Sequence, residues 1–539
     1  MAWYEKAVFY HIYPLGLTGA PATNDYGEPV SRLNDLIPWI DHMKRIGCTG
    51  LYIGPLFESA SHGYDTTDYR RLDSRLGTNG DLKRFVALCH EAGIRVILDG
   101  VFNHTGRDFF AFKDIQAHRE NSRYTGWYCN VNFYGNNEYN DGFSYDNWGG
   151  YNLLVKLNLR NPEVRDYLLD AIRFWVSEFD IDGLRLDTAD VLDFDFMRQL
   201  RGLANQVKPE FWLMGEVIHG DYARWANENT LNSVTNYHLH KALFSGHNDH
   251  NYFEIAHTVK RQMDMGLAGG RMLYSFVDNH DVDRIMSKLN NKAHFLPVHV
   301  LLYALPGVPS IYYGSEFGIE GRKDRGSDAP LRPCLDLGAL ESGQNGCLEL
   351  ITALGRVYNS QSALWYGDYR ELQLTTQKFA FARGDLVVTV NNGDGPADFD
   401  LGVNGAFTGA LTGRQIASEN GRLRFEIGGN SGEIWIPQGG DAMRYEPVRQ
   451  AVARPAKPEP APTAAPAQDA PAQKAPAPQT DIPAAPPANK PYEQMTVEEL
   501  QSAVLAKLAA NGPLTDRMRR EVAENVYRDS LLNWVKSFR

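Results

Sequence analysis

The chain predicts an α/β protein organised on a closed (β/α)8, or TIM, barrel. An inserted subdomain follows the third strand, an all-β sandwich domain follows the barrel, and a helical tail hangs on a linker. Three observations carry this expectation. Eight apolar strand-like runs recur before residue 314, spaced by amphipathic segments, and that alternation calls for parallel strands joined by crossover helices. The rhythm breaks between residues 105 and 151, and after residue 362 it gives way to short alternating strands. An Ala/Pro-dominated stretch, Pro455–Pro491, then sets the last helical segments apart as the far side of an extended linker.

Taken in order, Ala7–Leu15 (AVFYHIYPL) reads as the first buried strand, and Arg32–Ile46 as a helix turning Leu33, Leu36, Ile37, Ile40 and Met43 inward. Cys48–Leu56 is the second strand. Asn79–Ala92 is the next helix, with Asn79 at its N-cap and Gly93 as its stop. Ile94–Phe102 is the third strand and ends in Asn103-His104. Residues 105–151 are rich in Asn, Asp, Tyr and Gly and lack helix–strand alternation, so a small subdomain is expected there. Helix Tyr167–Phe179 leads to the strand at Gly183–Asp187. Strands at Phe211–Val217, Ser233–Tyr237, Met272–Val277 and Val308–Tyr313 follow, then a helix around Cys347–Tyr358.

The barrel is thus expected over 1–104 and 152–362, the β domain over 363–447 and the linker over 448–491. Strands of the β domain are expected at Arg370–Leu374, Lys378–Arg383, Leu386–Asn391, Arg422–Ile427 and Gly432–Ile436. Residues 492–539 read as a helical hairpin. Thr496 and Glu499 form a capping box, and Gly512-Pro513 separates the two helices. Leu500, Val504 and Leu508 would face Val522, Val526, Leu531 and Trp534. So small a unit is marginal alone, which points to docking on the main body, a protein partner or a second copy.

Bulk properties narrow the function. A formal charge of −12 argues against a nucleic-acid or anionic-membrane surface. Five scattered cysteines without a C-x-x-C pair favour reduced thiols over a disulfide framework or a zinc site. No apolar run is long enough to cross a membrane, and the first residues lack a signal-peptide pattern, so a cytoplasmic protein is expected.

The chemistry gathers at strand ends. In Gly183-Leu184-Arg185-Leu186-Asp187, alternation turns Leu184 and Leu186 to one face and Arg185 and Asp187 to the other. At the C-terminal mouth of a barrel, this pair would be a carboxylate held ionised by a guanidinium; a salt bridge on a strand end is the plain alternative. Asn103 and His104, Glu216, and His280 with Asp281 end three other strands. Three acids converging on one mouth repel one another, so at least one is expected to have a raised pKa, as a general acid requires.

Asp99–His104 (DGVFNH), Gly183–Asp187 (GLRLD), Gly215-Glu216-Val217 and Phe276–Asp281 (FVDNHD) resemble, in order, the four signature regions of the α-amylase family, glycoside hydrolase family thirteen. His62-Gly63-Tyr64-Asp65, Gly307-Val308-Pro309 and Tyr312-Tyr313-Gly314 resemble further landmarks, and the resemblance spans roughly residues 7 to 445. It implies retaining hydrolysis of α-glucosidic bonds, with Asp187 as nucleophile, Glu216 as acid/base and Asp281 as the third carboxylate favouring the distorted ring. It further implies that Arg185 orients Asp187, His104 and His280 donate to sugar hydroxyls, Tyr64 stacks on the glucose, and Asp99 and Asn103 hold the architecture. No cofactor is required for that chemistry. In many amylases Asn103's position also helps bind a structural calcium, with a carboxylate from an Asp-Leu-Asn segment. Here the segment reads Val155-Lys156-Leu157-Asn158, and a lysine repels a cation.

That Lys-Leu-Asn segment resembles the neopullulanase and cyclomaltodextrinase branch, acting on cyclodextrins, maltooligosaccharides and pullulan. In that setting His219 would lie near the leaving-group sugar, or be an ordinary loop histidine. A 4-α-glucanotransferase would use the same covalent intermediate, intercepted by a sugar instead of water. A catalytically inactive glucan-binding protein is the reading from another class; intact Asp187, Glu216 and Asp281 argue against it.

Overall fold

The computed structural model describes residues 2–265, 267, 273–324, 327–438, 492 and 495–510, with 522, 531 and 535. Among the described residues, eight parallel strands form the barrel. They are β1 (Phe9–Ile12), β2 (Gly50–Ile53), β3 (Arg95–Gly100), β4 (Gly183–Leu186), β5 (Trp212–Gly215), β6 (Ser233–Val234), β7 (Tyr274–Phe276) and β8 (Val308–Tyr312). Their hydrogen-bonded order is β6-β5-β4-β3-β2-β1-β8-β7. The ring closes thinly between β6 and β7, through a parallel bridge of Thr235 with Tyr274 and a 2.8 Å bond from Asn236 N–H to Tyr274 O. The strands are shorter than their apolar runs. At β1, for example, Pro14 has no N–H for the ladder and instead opens the helical turn Pro14–Leu17.

Alternation along each strand separates two cores. Leu184 and Leu186 of β4 join the large core between the barrel and its helices. Phe9, Tyr52, Ile97, Trp212, Met214, Tyr274, Phe276 and Val308 fill the lumen. Tyr4 stacks on Trp212 at 5.6 Å and Trp3 meets it edge-on at 6.2 Å, so the N-terminal turn closes the bottom of the barrel. The polar inward residues are left at the opposite, C-terminal mouth.

The crossover helices are α1 (Ile37–Arg45), α2 (Asn79–Glu91), α3 (Pro162–Phe179), α4 (Phe194–Val207), α5 (Tyr237–Asn248), α6 (Tyr252–Asp264), α7 (Phe295–Ala304) and α8 (Gly346–Ser360). The helix expected from Arg32 divides into a 3-10 turn, Arg32–Leu36, and α1, because Pro38 is tolerated in a first turn but not mid-helix. The N-cap of α2 is Thr78, not Asn79. The Thr78 hydroxyl accepts from Asp81 N–H, while Asn79 is the first helical residue and donates to Arg70 O. Gly93 does stop the helix, at φ +81°.

The insertion contains a helix, Phe110–His118, that the sequence reading did not expect, and its strand Tyr151–Lys156 runs past residue 151. Lys156 and Val155 pair antiparallel with His104 and Thr105, which ties the insertion to the end of β3.

After α8 comes a six-stranded sheet of Tyr369–Leu374, Lys378–Arg383, Leu386–Asn391, Ser431–Pro437, Ala406–Gly409 and Gln415–Ala417, with a two-stranded ribbon, Ala397–Leu401 with Leu423–Ile427. Phe399, Phe425 and Trp435 pack between ribbon and sheet. The other face of the sheet, through Val388, Val390, Ile434 and Ile436, joins the barrel core, where α7 is buried along its length. A helix covered on both sides must be apolar all round, as FLPVHVLLYA is.

In the tail, the helix Val497–Ala510 begins with the expected capping box: Thr496 N–H donates to Glu499 at 2.7 Å and Glu499 N–H to Thr496 Oγ1 at 3.3 Å. Leu500 and Val504 are buried with Val522, Leu531 and Val535, and Leu508 packs at their edge. Val526, Trp534, the Gly512-Pro513 break and the Ala/Pro linker lie outside the described residues. Among the described residues no helix is long and apolar enough to cross a membrane.

Candidate active site

The C-terminal ends of β3, β4, β5 and β7 deliver the polar residues to one cluster, and Arg185 is its centre. Asp187 follows β4 by one residue and Glu216 follows β5; Asp187 N–H bonds to Gly100 O at 3.1 Å and Glu216 N–H to Leu186 O at 2.9 Å, extending the barrel ladder. Arg185 Nη1 lies 2.9 Å from Asp99 Oδ1 and 2.9 Å from Asp187 Oδ1, and Nη2 lies 2.8 Å from Glu216 Oε2. One guanidinium therefore holds two facing carboxyls on neighbouring nitrogens.

Sequence reading had Arg185 keep Asp187 ionised. The structure gives the opposite balance: burial, helped by Glu216, Asp99 and Asp281, pushes Asp187 well above the ordinary carboxylate range despite Arg185. The main physical reason is burial, and the single Arg185 charge, shared with Asp99 and Glu216, does not offset it. Asp281 goes the other way. Burial alone would raise it, but His280 Nε2 at 3.0 Å and Arg332 Nη2 at 2.9 Å outweigh that and hold it well below the usual range.

Around the acids sits a ring of aromatic and imidazole groups. Tyr52 and Tyr64 hydroxyls donate to Asp99 Oδ2 at 2.8 and 3.0 Å, and the Tyr64 hydroxyl lies 2.5 Å from His280 Nε2. Tyr64 and His280 rings run parallel, 5.7 Å apart. Asn103 Nδ2 lies 3.2 Å from His104 Nδ1, and burial pushes His104 down to about 3, leaving it neutral near pH 7. His104 Nε2 and His280 Nδ1 are buried without a hydrogen-bond partner among the described residues. Buried polar atoms are rarely left so, and ligand hydroxyls would satisfy both. His219 instead lies on the exposed loop past Glu216.

Several site residues were not singled out from sequence. Tyr52 supports Asp99. Thr188 N–H donates to Glu216 Oε2 at 2.9 Å, and the Tyr237 hydroxyl reaches Glu216 Oε1 at 3.4 Å. Arg332, beyond β8, donates to His280 O and to Asp281, and lies 4.6 Å over the Tyr13 ring. Of these, the pairing of β2 with β3, which sets Tyr52 beside Asp99, follows from strand order alone.

At the position where the resemblance implies a calcium, two features of the structure disfavour a cation. The Asn103 amide is turned to His104, and Lys156 pairs across from His104 with its ammonium charge.

Residues 23–338 match the family model "Alpha amylase, catalytic domain". The chain belongs to the α-amylase family. It is similar to a cyclomaltodextrinase of a Bacillus species, 31% identical over 421 residues spanning 72% of this chain and 73% of that protein. It is also similar to neopullulanase 2 of Thermoactinomyces vulgaris, 29% identical over 79% of this chain and 76% of that one. A solved cyclomaltodextrinase superposes with TM-score 0.72 at 26% identity, covering 80% of this chain and 78% of the other.

Proposed function

We propose that the chain is a retaining glycoside hydrolase that cleaves α-1,4-glucosidic bonds in maltooligosaccharides, cyclodextrins or starch-like glucans. The observation that carries this is the Arg185 clamp on Asp187 and Glu216, with Asp281 facing them from β7. The relatives' names, cyclomaltodextrinase and neopullulanase, support the substrate class.

Under this reading, Asp187 attacks in its ionised form. Catalysis uses the form with the proton on Glu216. Glu216 protonates the glycosidic oxygen as its bond to the anomeric carbon breaks, and Asp187 forms the new bond to that carbon. Glu216 then takes a proton from water, whose oxygen displaces Asp187 and restores the original configuration. Asp281, kept ionised by His280 and Arg332, binds sugar hydroxyls and favours the distorted ring. His104 and His280 meet further hydroxyls, Tyr64 stacks on the ring, and His219 lies toward the leaving-group side. The chemistry needs no cofactor. The chain works in the cytoplasm, and its tail serves self-association or a protein partner.

A timed digest of maltoheptaose, β-cyclodextrin and pullulan, with Glu216→Gln as control, tests the reading. Reducing ends rising in step with bond cleavage, lost in the variant, are expected. A ladder of longer oligomers would move the assignment to a glucanotransferase, and no turnover at all would overturn it.

A further inference from the structure

The residue after Asp187 is Thr188, and its backbone lies at φ 43°, ψ 46°, in the left-handed region. For a β-branched residue this is a strained conformation, persisting where its surroundings enforce it. Two surroundings do so here. Thr188 O accepts from Val191 N–H at 3.1 Å, starting the 3-10 turn Ala189–Val191. The turn packs on Gly215, the last residue of β5, where an added Cβ would fall 2.7 Å from Ala189 Cβ and 2.5 Å from Leu231 Cδ1. The chain can pass so close because Gly215 has no side chain. Residue 216, the next along, is the acid.

The consequence falls on the two oxygens of Glu216. Oε2 accepts from Thr188 N–H at 2.9 Å and from Arg185 Nη2 at 2.8 Å, whereas Oε1 has the Tyr237 hydroxyl at 3.4 Å. An oxygen already accepting two short hydrogen bonds, one of them charge-assisted, is the poorer place for a proton. We propose that Thr188 is a positioning residue for the acid/base: its strained backbone N–H, held by the Ala189–Gly215 contact, reserves Oε2 and leaves Oε1 as the oxygen that carries the transferred proton. This rests on the function proposed above. In the first half-reaction the Oε1 proton passes to the leaving oxygen as the C–O bond breaks and Asp187 bonds to carbon. In the second, Oε1 receives the proton of the attacking water as the Asp187–carbon bond breaks.

The direct test replaces the Thr188 amide with an ester, using the α-hydroxy analogue of threonine in the full-length chain, which deletes the N–H and keeps the side chain. The first half-reaction alone is compared, as kcat/KM, on maltotriose, whose leaving oxygen needs a proton, and on α-maltosyl fluoride, whose fluoride needs far less help. General acid assistance contributes roughly 10²–10⁴-fold, so a loss of at least about 10-fold on maltotriose is expected, with the fluoride changed less than about threefold. Gly215→Ala, which pushes the turn away, should give the same split. Equal losses on both substrates would reduce Thr188 to a structural role, and no loss on either would also overturn the proposal. Wild-type protein inactive on both would instead refute the hydrolase reading on which it stands.

Discussion

Arg185 is one positive charge answering three carboxylates, and the site's behaviour turns on that imbalance. Lysine at this position would place a single ammonium where a planar fork now serves Asp99, Asp187 and Glu216 at once. Arg185→Lys should lower kcat by about 10³-fold or more while binding of glucan changes little, since the loss falls on alignment of the reacting carboxyls. The variant should also lose about 1–3 kcal/mol of stability, because one ammonium cannot reach all three carboxyls and leaves a buried oxygen without its donor. Single-turnover kinetics and urea denaturation measure the two effects; unchanged kcat would remove Arg185 from the centre of the account. At this scale the sequence was legible where residues share a strand or a motif. Alternation along GLRLD put Arg185 and Asp187 on one face, as found. It failed where the contact comes from elsewhere in the chain: Arg332 reaches Asp281 from a loop beyond β8, and Tyr237 reaches Glu216 from the start of α5. It also failed for Thr188, whose importance lies in a backbone angle that no residue type announces.

The elements are pinned at both ends of the barrel. At the bottom, Asp182, ahead of β4, is 2.7 Å from His90 of α2, 2.9 Å from Arg95 of β3 and 2.9 Å from Lys208 after α4, and accepts from Val96 N–H at 2.9 Å. Burial would raise this carboxyl, but these partners hold it at about 2. A folded pKa below the unfolded value of about 3.9 means the group favours the folded state above that value, and the contribution is lost as pH falls toward 2. Asp182→Asn should therefore cost about 2 kcal/mol at pH 7, with the difference from wild type shrinking between pH 4 and pH 2. A constant difference across that range would show the effect to be packing. On the other side, α7 bridges two cores, and Leu301→Ala should cost about 2–5 kcal/mol in denaturation experiments.

Element periodicity in the sequence located the eight barrel strands and the large crossover helices, because their apolar faces must meet the cores. The strands Ala397–Leu401, Ala406–Gly409 and Gln415–Ala417 were not foreseen. Their runs are short, and ADFDL alternates with aspartates that disfavour strands in isolation. The helix Phe110–His118 was hidden by the turn-rich composition around it.

At the scale of the molecule, the described core of barrel and β domain is continuous through α7, whereas the tail has its own small cluster around Leu500 and Val504. Removing residues 453–539 should leave turnover of maltooligosaccharides within about twofold, as every residue named in the site lies before residue 333. A change in molecular mass in solution larger than the deleted segment would assign the tail to self-association; an unchanged assembly state would leave a protein partner as its role. The tail's hairpin was legible from its capping box and apolar spacing, but no motif in it names what it meets.

The proposed function requires Asp187 to be the carboxyl that bonds to the sugar. Mass spectrometry of Glu216→Gln protein after reaction with α-maltosyl fluoride tests this most directly, because the fluoride loads the intermediate while the missing acid/base slows its release. A maltosyl adduct on the peptide carrying Asp187 is predicted. An adduct on any other side chain would contradict the account.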